Sequence, residues 1–162
     1  MLDIVAVAGG FLLRALAGGV AAPVTLSRWF VLVVACAALF VAAGQRQAEL
    51  LRTSGNPAAD SRGARRVLSR YSPGGVRLLL AGSGARALFA CSVWAFALPD
   101  VDGVPWRLLT VLPFTACLRR YGALVRNGAG EAPEEMLLSD RWLAIGALAW
   151  LLLFALSVHA AG

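Results

Sequence analysis

The chain has 162 residues, of which 59% are hydrophobic, and its mean hydropathy is +0.73. Soluble domains have only about 45–50% apolar residues, so this composition excludes an ordinary soluble protein and favours one that lies in a membrane. The net charge is +6 and all 15 basic residues are arginine. Because the arginines flank apolar runs, we expect anionic lipid headgroups as their counter-ions and no nucleic acid.

Five apolar runs follow one another along the chain, each near the roughly 20 residues that a helix needs to cross the hydrocarbon core. Prolines and a Pro-Gly-Gly cluster separate the runs. The second run is short unless its helix continues through Gly44 towards Glu49. We therefore predict one all-α membrane domain over residues 1–162, an integral helical bundle of five transmembrane helices. The predicted spans are residues 2–22, 28–43, 76–98, 106–125 and 142–161.

The arginines are distributed unevenly between the two sides of these spans. Residues 45–77 contain seven arginines and residues 119–141 contain four, whereas the connections on the other side hold only Arg28 and Arg107. Arginine-rich connections face the cytoplasm. We therefore predict a multi-pass protein of the cell (plasma) membrane with a cytoplasmic N-terminus and an external C-terminus. The predicted cytoplasmic loops are residues 44–75 and 126–141.

Arg14 falls near the middle of the first predicted span. A charge at that depth costs about 2.5–3.5 kcal/mol to insert, so such a side chain normally faces a polar cavity or a partner. The structural alternative is an arginine that snorkels or pairs with a carbonyl group between helices. Asp3 precedes Arg14 by about three helical turns, too far for a direct pair, although both could line one cavity.

The cytoplasmic segment after the second run holds two further candidate groups. In "QRQAELLR", Arg46 and Glu49 are three residues apart, so they are neighbours if the second helix continues. Further along, "DSRGARRVLSRY" is typical of a basic amphipathic helix, in which Arg62, Arg65 and Arg66 form a cationic patch. Guanidinium groups bind phosphate bidentately, so the patch is either a phosphate or diphosphate site or a loop that contacts lipid headgroups.

The second predicted cytoplasmic loop, "NGAGEAPEEMLLSD", is rich in carboxylates. Carboxylates at a membrane face could hold Mg²⁺ together with substrate phosphates. Their spacing is not diagnostic, and a solvated loop is the alternative, so the metal ligands remain unknown. The four carboxylates are Glu131, Glu134, Glu135 and Asp140.

Several stretches, in this order, resemble the C-terminal half of a UbiA-type membrane prenyltransferase. The most specific are "FLLRALAGGVA", the G-x-R-x-A-E-L run and "GEAPEEMLLSDR". Within that family the chain is most similar to the decaprenyl-phosphate phosphoribosyltransferase subgroup. The resemblance implies a bundle of nine transmembrane helices, of which the five predicted spans correspond to helices five to nine. It also identifies residues 44–50 as the second polar motif of the family.

For function, the resemblance implies transfer of a phosphoribosyl group from phosphoribosyl diphosphate to a polyprenyl phosphate, with Mg²⁺ assisting the departing diphosphate, in cell-wall precursor synthesis. It also implies site residues. Glu49 is the catalytic candidate, and Arg14, Arg46 and Tyr71 are substrate-binding candidates. Arg62 and Arg65 of the cationic patch join the substrate-binding set.

Two departures from the family pattern bear on activity. The first aspartate-rich motif of the family, which organises Mg²⁺, belongs to the four helices that this sequence does not match. In the second motif, Gln45 and Gln47 stand where the subgroup has Lys and Tyr, and glutamine brings no charge to a diphosphate site. We therefore expect the chain to be inactive alone and to need a separate polypeptide that supplies the missing helices and most Mg²⁺ ligands. The alternative is an inactive truncated relative, or a non-enzymatic membrane subunit that binds polyprenyl lipid.

Overall fold

The structure is a computed structural model that describes residues 2–21, 27–55, 72–96, 106–128 and 133–159. Every regular element in these ranges is an α-helix, so the predicted all-α fold is confirmed. The helices are α1 (Leu2–Ala21), α2 (Arg28–Gly55), α3 (Pro73–Phe96), α4 (Trp106–Arg126), the short α5 (Pro133–Ser139) and α6 (Arg141–His159).

Four of the described helices, α1 to α4, are long and apolar enough to cross a membrane. The apolar part of α6, Arg141–Ser157, is shorter than these four. Large apolar side chains such as Leu13, Leu78 and Leu152 are exposed on the helix surfaces, as expected for groups that face lipid rather than water. The chain is therefore a multi-pass membrane protein built as a helical bundle.

Helix α2 extends well beyond the predicted span of residues 28–43. It has 28 residues, about 42 Å at 1.5 Å per residue, whereas the hydrocarbon core is about 30 Å thick. The first part of the predicted loop 44–75 is thus helical, and residues 56–71 lie outside the described residues. The polar second half of α2 continues the same helix beyond its apolar part. Helical geometry therefore fixes the positions of its polar side chains, which form the candidate site.

The bundle is organised around α2, which packs against α1, α3 and α4. One cluster joins Ile4 and Ala8 of α1 to Ala38 and Ala42 of α2 and to Val76 of α3. These contacts bring the start of α1 and the start of α3 onto the same stretch of α2.

The second cluster fixes α4 on the same stretch of α2. Tyr121 packs on Phe40, with ring centroids 5.3 Å apart, and its hydroxyl donates to the Val41 carbonyl at 3.0 Å. The ring also lies directly against Gly44, where a Cβ atom would be only 2.6 Å from Tyr121 Cε1. A glycine at this position is what lets α2 and α4 approach so closely.

Candidate functional site

A cavity of about 430 Å³ lies between the start of α1 and the second half of α2. Its apolar wall comes from both helices, and its polar wall comes from α2 alone. The lining residues are Ile4, Val7, Ala42, Gln45, Arg46 and Glu49. Arg46 and Glu49 of the predicted polar motif therefore share one cavity.

Arg46 is held between two carboxylates on different helices. Its Nη1 pairs with Glu49 Oε2, one turn along α2, and its Nη2 pairs with Asp3 Oδ2 at the start of α1. The contact between Arg46 and Glu49 confirms that these two residues are neighbours on one helix face. The two ion pairs fix the direction of the guanidinium group, whose side chain is only 21% exposed.

The sequence reasoning missed the pair between Asp3 and Arg46. The order of the predicted spans nevertheless favours this pair. Two consecutive spans cross the membrane in opposite directions, so the first begins on the side where the second ends. A carboxylate at the start of one span and an arginine at the end of the next then lie at one depth. Since α1 packs on α2, that shared depth becomes a direct contact.

The charge of this trio limits what it can bind alone. Arg46 contributes one positive charge, whereas Asp3 and Glu49 each contribute one negative charge when ionised, so the trio is negative overall. A diphosphate has several negative charges and is repelled by such a group unless further positive charge is supplied. Gln45, the third polar side chain that lines the cavity, adds no charge.

The described residues do not complete a Mg²⁺ site in this cavity. Mg²⁺ prefers several oxygen ligands in near-octahedral geometry, and both local carboxylates already pair with Arg46. Within the described ranges, there is no group of three or more His, Cys, Asp or Glu side chains that could hold a metal ion. A Mg²⁺ ion in this cavity would need ligands from outside the described part of the chain.

Of the other predicted substrate-binding residues, only Arg14 lies in a described part of the chain. Arg14 is exposed on α1 and is not among the residues that line this cavity. Tyr71, Arg62 and Arg65 lie outside the described residues. Of the predicted site residues, the structure brings together Arg46 and Glu49.

Asp140, one of the loop carboxylates considered for Mg²⁺, has a structural role. It accepts hydrogen bonds from Arg120 Nε and Nη2 at 3.0 and 2.6 Å, and from the Leu143 backbone N–H at 2.9 Å. The last of these caps the N-terminus of α6. The hydrogen bonds from Arg120, followed by the one from Leu143, lower the pKa of Asp140 below its usual value. The Asp140 carboxylate thus links the Arg120 side chain of α4 to the backbone at the start of α6.

No protein-family model matches the chain. Three curated relatives, all named decaprenyl-phosphate phosphoribosyltransferase, are similar to it. The one from Corynebacterium glutamicum is 38% identical over 161 residues, covering 98% of this chain and 47% of the relative. The one from Mycolicibacterium smegmatis is 38% identical, covering 93% and 49%. The one from Mycobacterium tuberculosis is 35% identical, covering 93% and 48%. The chain is a partial relative of these proteins.

The similarity confirms the resemblance that the sequence motifs indicated. It also has a clear limit, because the chain spans about half the length of the curated relatives that it matches. With 98% of the chain covered in the first comparison, the similarity includes the part of α2 that carries Arg46 and Glu49.

Proposed function

We propose that the chain supplies one part of a membrane transferase that moves a phosphoribosyl group from phosphoribosyl diphosphate to a polyprenyl phosphate. The observation that carries this proposal is the similarity to decaprenyl-phosphate phosphoribosyltransferases over nearly the whole chain, including the cavity residues Arg46 and Glu49. In the reaction, a phosphate oxygen of the lipid forms a bond to the anomeric carbon of the ribose. The bond from that carbon to the diphosphate breaks, and the diphosphate leaves with the electron pair.

In this proposal Arg46 binds the departing diphosphate. Its guanidinium group has five N–H donors in a fixed plane, which suits phosphate oxygens. Donors that are already oriented towards a developing negative charge lower the barrier most. Asp3 and Glu49 supply that orientation by holding Nη2 and Nη1. Glu49 thereby positions Arg46, and it also lines the cavity that the substrate would occupy.

We further propose that the 162-residue chain is inactive by itself and works with a polypeptide segment equivalent to the other half of the relatives. The negative charge of the trio around Arg46 supports this, because productive diphosphate binding then needs positive charge from elsewhere. Mg²⁺ would supply that charge, with most of its ligands in the other segment. The proposed setting is the plasma membrane in cell-wall precursor synthesis, with the Arg46 cavity on the cytoplasmic side.

The test is a transfer assay in membranes that contain the chain alone, or the chain co-expressed with the segment of the Corynebacterium glutamicum relative that it does not match. Labelled phosphoribosyl diphosphate and decaprenyl phosphate are supplied with Mg²⁺, and the labelled lipid product is extracted. We expect no product from the chain alone and product from the combination. Transfer by the chain alone would contradict the proposed division of the site. No transfer by the combination, where the intact relative is active, would instead favour a non-enzymatic relative.

A further inference from the structure

A second cavity, of about 630 Å³, lies between α2, α3 and α4. Its lining residues from α2 are Phe40, Gln47 and Leu51. At 3.6 residues per turn, these three lie on the face of α2 opposite to the residues that line the first cavity. The two cavities are therefore separate. The lining residues are Phe40, Gln47, Leu51, Arg77, Leu80, Ala81, Leu118, Arg119, Gly122 and Arg126.

The second cavity is strongly basic. Arg77 lies in the first turns of α3, and Arg119 and Arg126 lie in the last turns of α4, so three guanidinium groups meet at one end of the bundle. No carboxylate is among the lining residues, and none of the three arginines forms a salt bridge with another described residue. This arrangement differs from the first cavity, where two carboxylates surround Arg46.

A buried amide faces the same cavity. Gln47 is only 5% exposed, and its Oε1 atom is buried without a hydrogen-bond donor among the described residues. A buried acceptor that has lost water without gaining a donor is costly. A ligand that offers a hydroxyl group at this position would remove that cost.

We propose that this second cavity binds a phosphate ester that carries a hydroxyl group, with the phosphate at Arg77, Arg119 and Arg126 and the hydroxyl donating to Gln47. Arginine is well suited to the phosphate because it forms charge-assisted, bidentate hydrogen bonds. The apolar side chains Phe40 and Leu118 form part of the wall, so a phospholipid whose headgroup bears hydroxyls fits better than a soluble ester. This site goes beyond the transferase proposal and does not depend on it.

The test uses the full chain in nanodiscs of phosphatidylcholine with either phosphatidylglycerol or phosphatidylethanol. These two lipids have the same charge, but only phosphatidylglycerol carries free hydroxyl groups. Bound lipid is counted by native mass spectrometry after release. We expect the unmodified chain to retain phosphatidylglycerol in preference to phosphatidylethanol. The Gln47→Leu variant should bind both equally.

The arginines are tested with the double variant Arg77→Gln/Arg119→Gln, which should retain either anionic lipid about tenfold less. The matched control is Arg28→Gln/Arg107→Gln, which removes the same charge at the opposite ends of α2 and α4. It should bind lipid as the unmodified chain does. Circular dichroism and gel filtration verify that all variants are folded.

Competition with glycerol 3-phosphate in detergent distinguishes a lipid from a soluble ligand. Retention of phosphatidylglycerol supports the lipid, whereas specific binding of glycerol 3-phosphate alone supports the same site with a soluble ester. Binding of neither ligand overturns the proposal. Equal losses in the test and control double variants also overturn it, as does an unchanged lipid preference in Gln47→Leu.

Discussion

The contact between Gly44 and Tyr121 gives a stringent prediction, because it sets the spacing of α2 and α4 on which the second cavity depends. A Cβ atom at position 44 would be 2.6 Å from both Cε1 and the hydroxyl oxygen of Tyr121. Non-bonded carbon atoms prefer separations of about 3.5–4.0 Å. In the Gly44→Ala variant the ring would therefore have to move by roughly 1 Å, away from the Val41 carbonyl that its hydroxyl now reaches.

The size of the effect follows from three contributions. Overpacking a well-packed site costs about 1–3 kcal/mol, and loss of the Tyr121 hydrogen bond costs about 1 kcal/mol more. Alanine in place of glycine within a helix returns about 1 kcal/mol. We expect Gly44→Ala to lower the free energy of unfolding by about 1–3 kcal/mol in total.

The assay is reversible unfolding in mixed micelles, followed by circular dichroism. Gly18→Ala is the control, since nothing lies within 4 Å of a Cβ atom there, and it should be neutral or stabilising by up to about 1 kcal/mol. Tyr121→Phe removes only the hydroxyl and should cost about 1 kcal/mol. Combined with Gly44→Ala, it should cost less than the sum of the two single changes, because the shared contact is lost once. Equal stability of Gly44→Ala and Gly18→Ala would refute the proposed close packing.

Three further predictions concern the ion pairs. Because Arg120 lowers the pKa of Asp140, its carboxylate should stabilise the fold above the unfolded pKa of about 3.9, and this contribution should vanish as the pH falls through the lower folded pKa. Asp140→Asn should therefore lower the melting temperature at pH 7 but much less in strong acid; equal effects at both pH values would contradict this. Asp3→Asn should loosen the start of α1, measured as faster amide hydrogen exchange there, and unchanged exchange would argue against its pair with Arg46. Glu49→Gln should reduce phosphoribosyl transfer by the combined segments, and an unaffected rate would remove Glu49 from the site.

The helices were predictable because helix-breaking residues separate the apolar runs, and four of the described helices are long and apolar enough to cross a membrane. The contact between Arg46 and Glu49 was predictable for a similar reason, since it depends only on helical spacing within one element. The length of α2 was left open in the sequence. Its apolar signal ends near residue 43, but the polar residues that follow are compatible with a helix, and packing of Gly44 on Tyr121 continues the contacts with α4.

Contacts between helices were harder to predict, since they depend on which faces meet. The pair between Asp3 and Arg46 required knowing that the start of α1 packs on the second half of α2. In the same way, Gln47 reads in the sequence as one of several polar residues beyond a membrane span, whereas in the structure α3 and α4 bury it. The arginines around it come from two other helices, so no local motif indicated the second cavity.

The central claim is that Arg46 takes part in phosphoribosyl transfer once the other half of the site is present. The most direct test is the initial rate of labelled lipid formation by the combined segments, with Arg46→Gln compared with Arg28→Gln, which removes an equal charge at the other end of α2. Loss of a charge-assisted hydrogen bond to the diphosphate predicts a rate at least about tenfold lower for Arg46→Gln. The Arg28→Gln variant should retain the original rate. Equal rates for the two variants, with both folded and equally expressed, would contradict the claim.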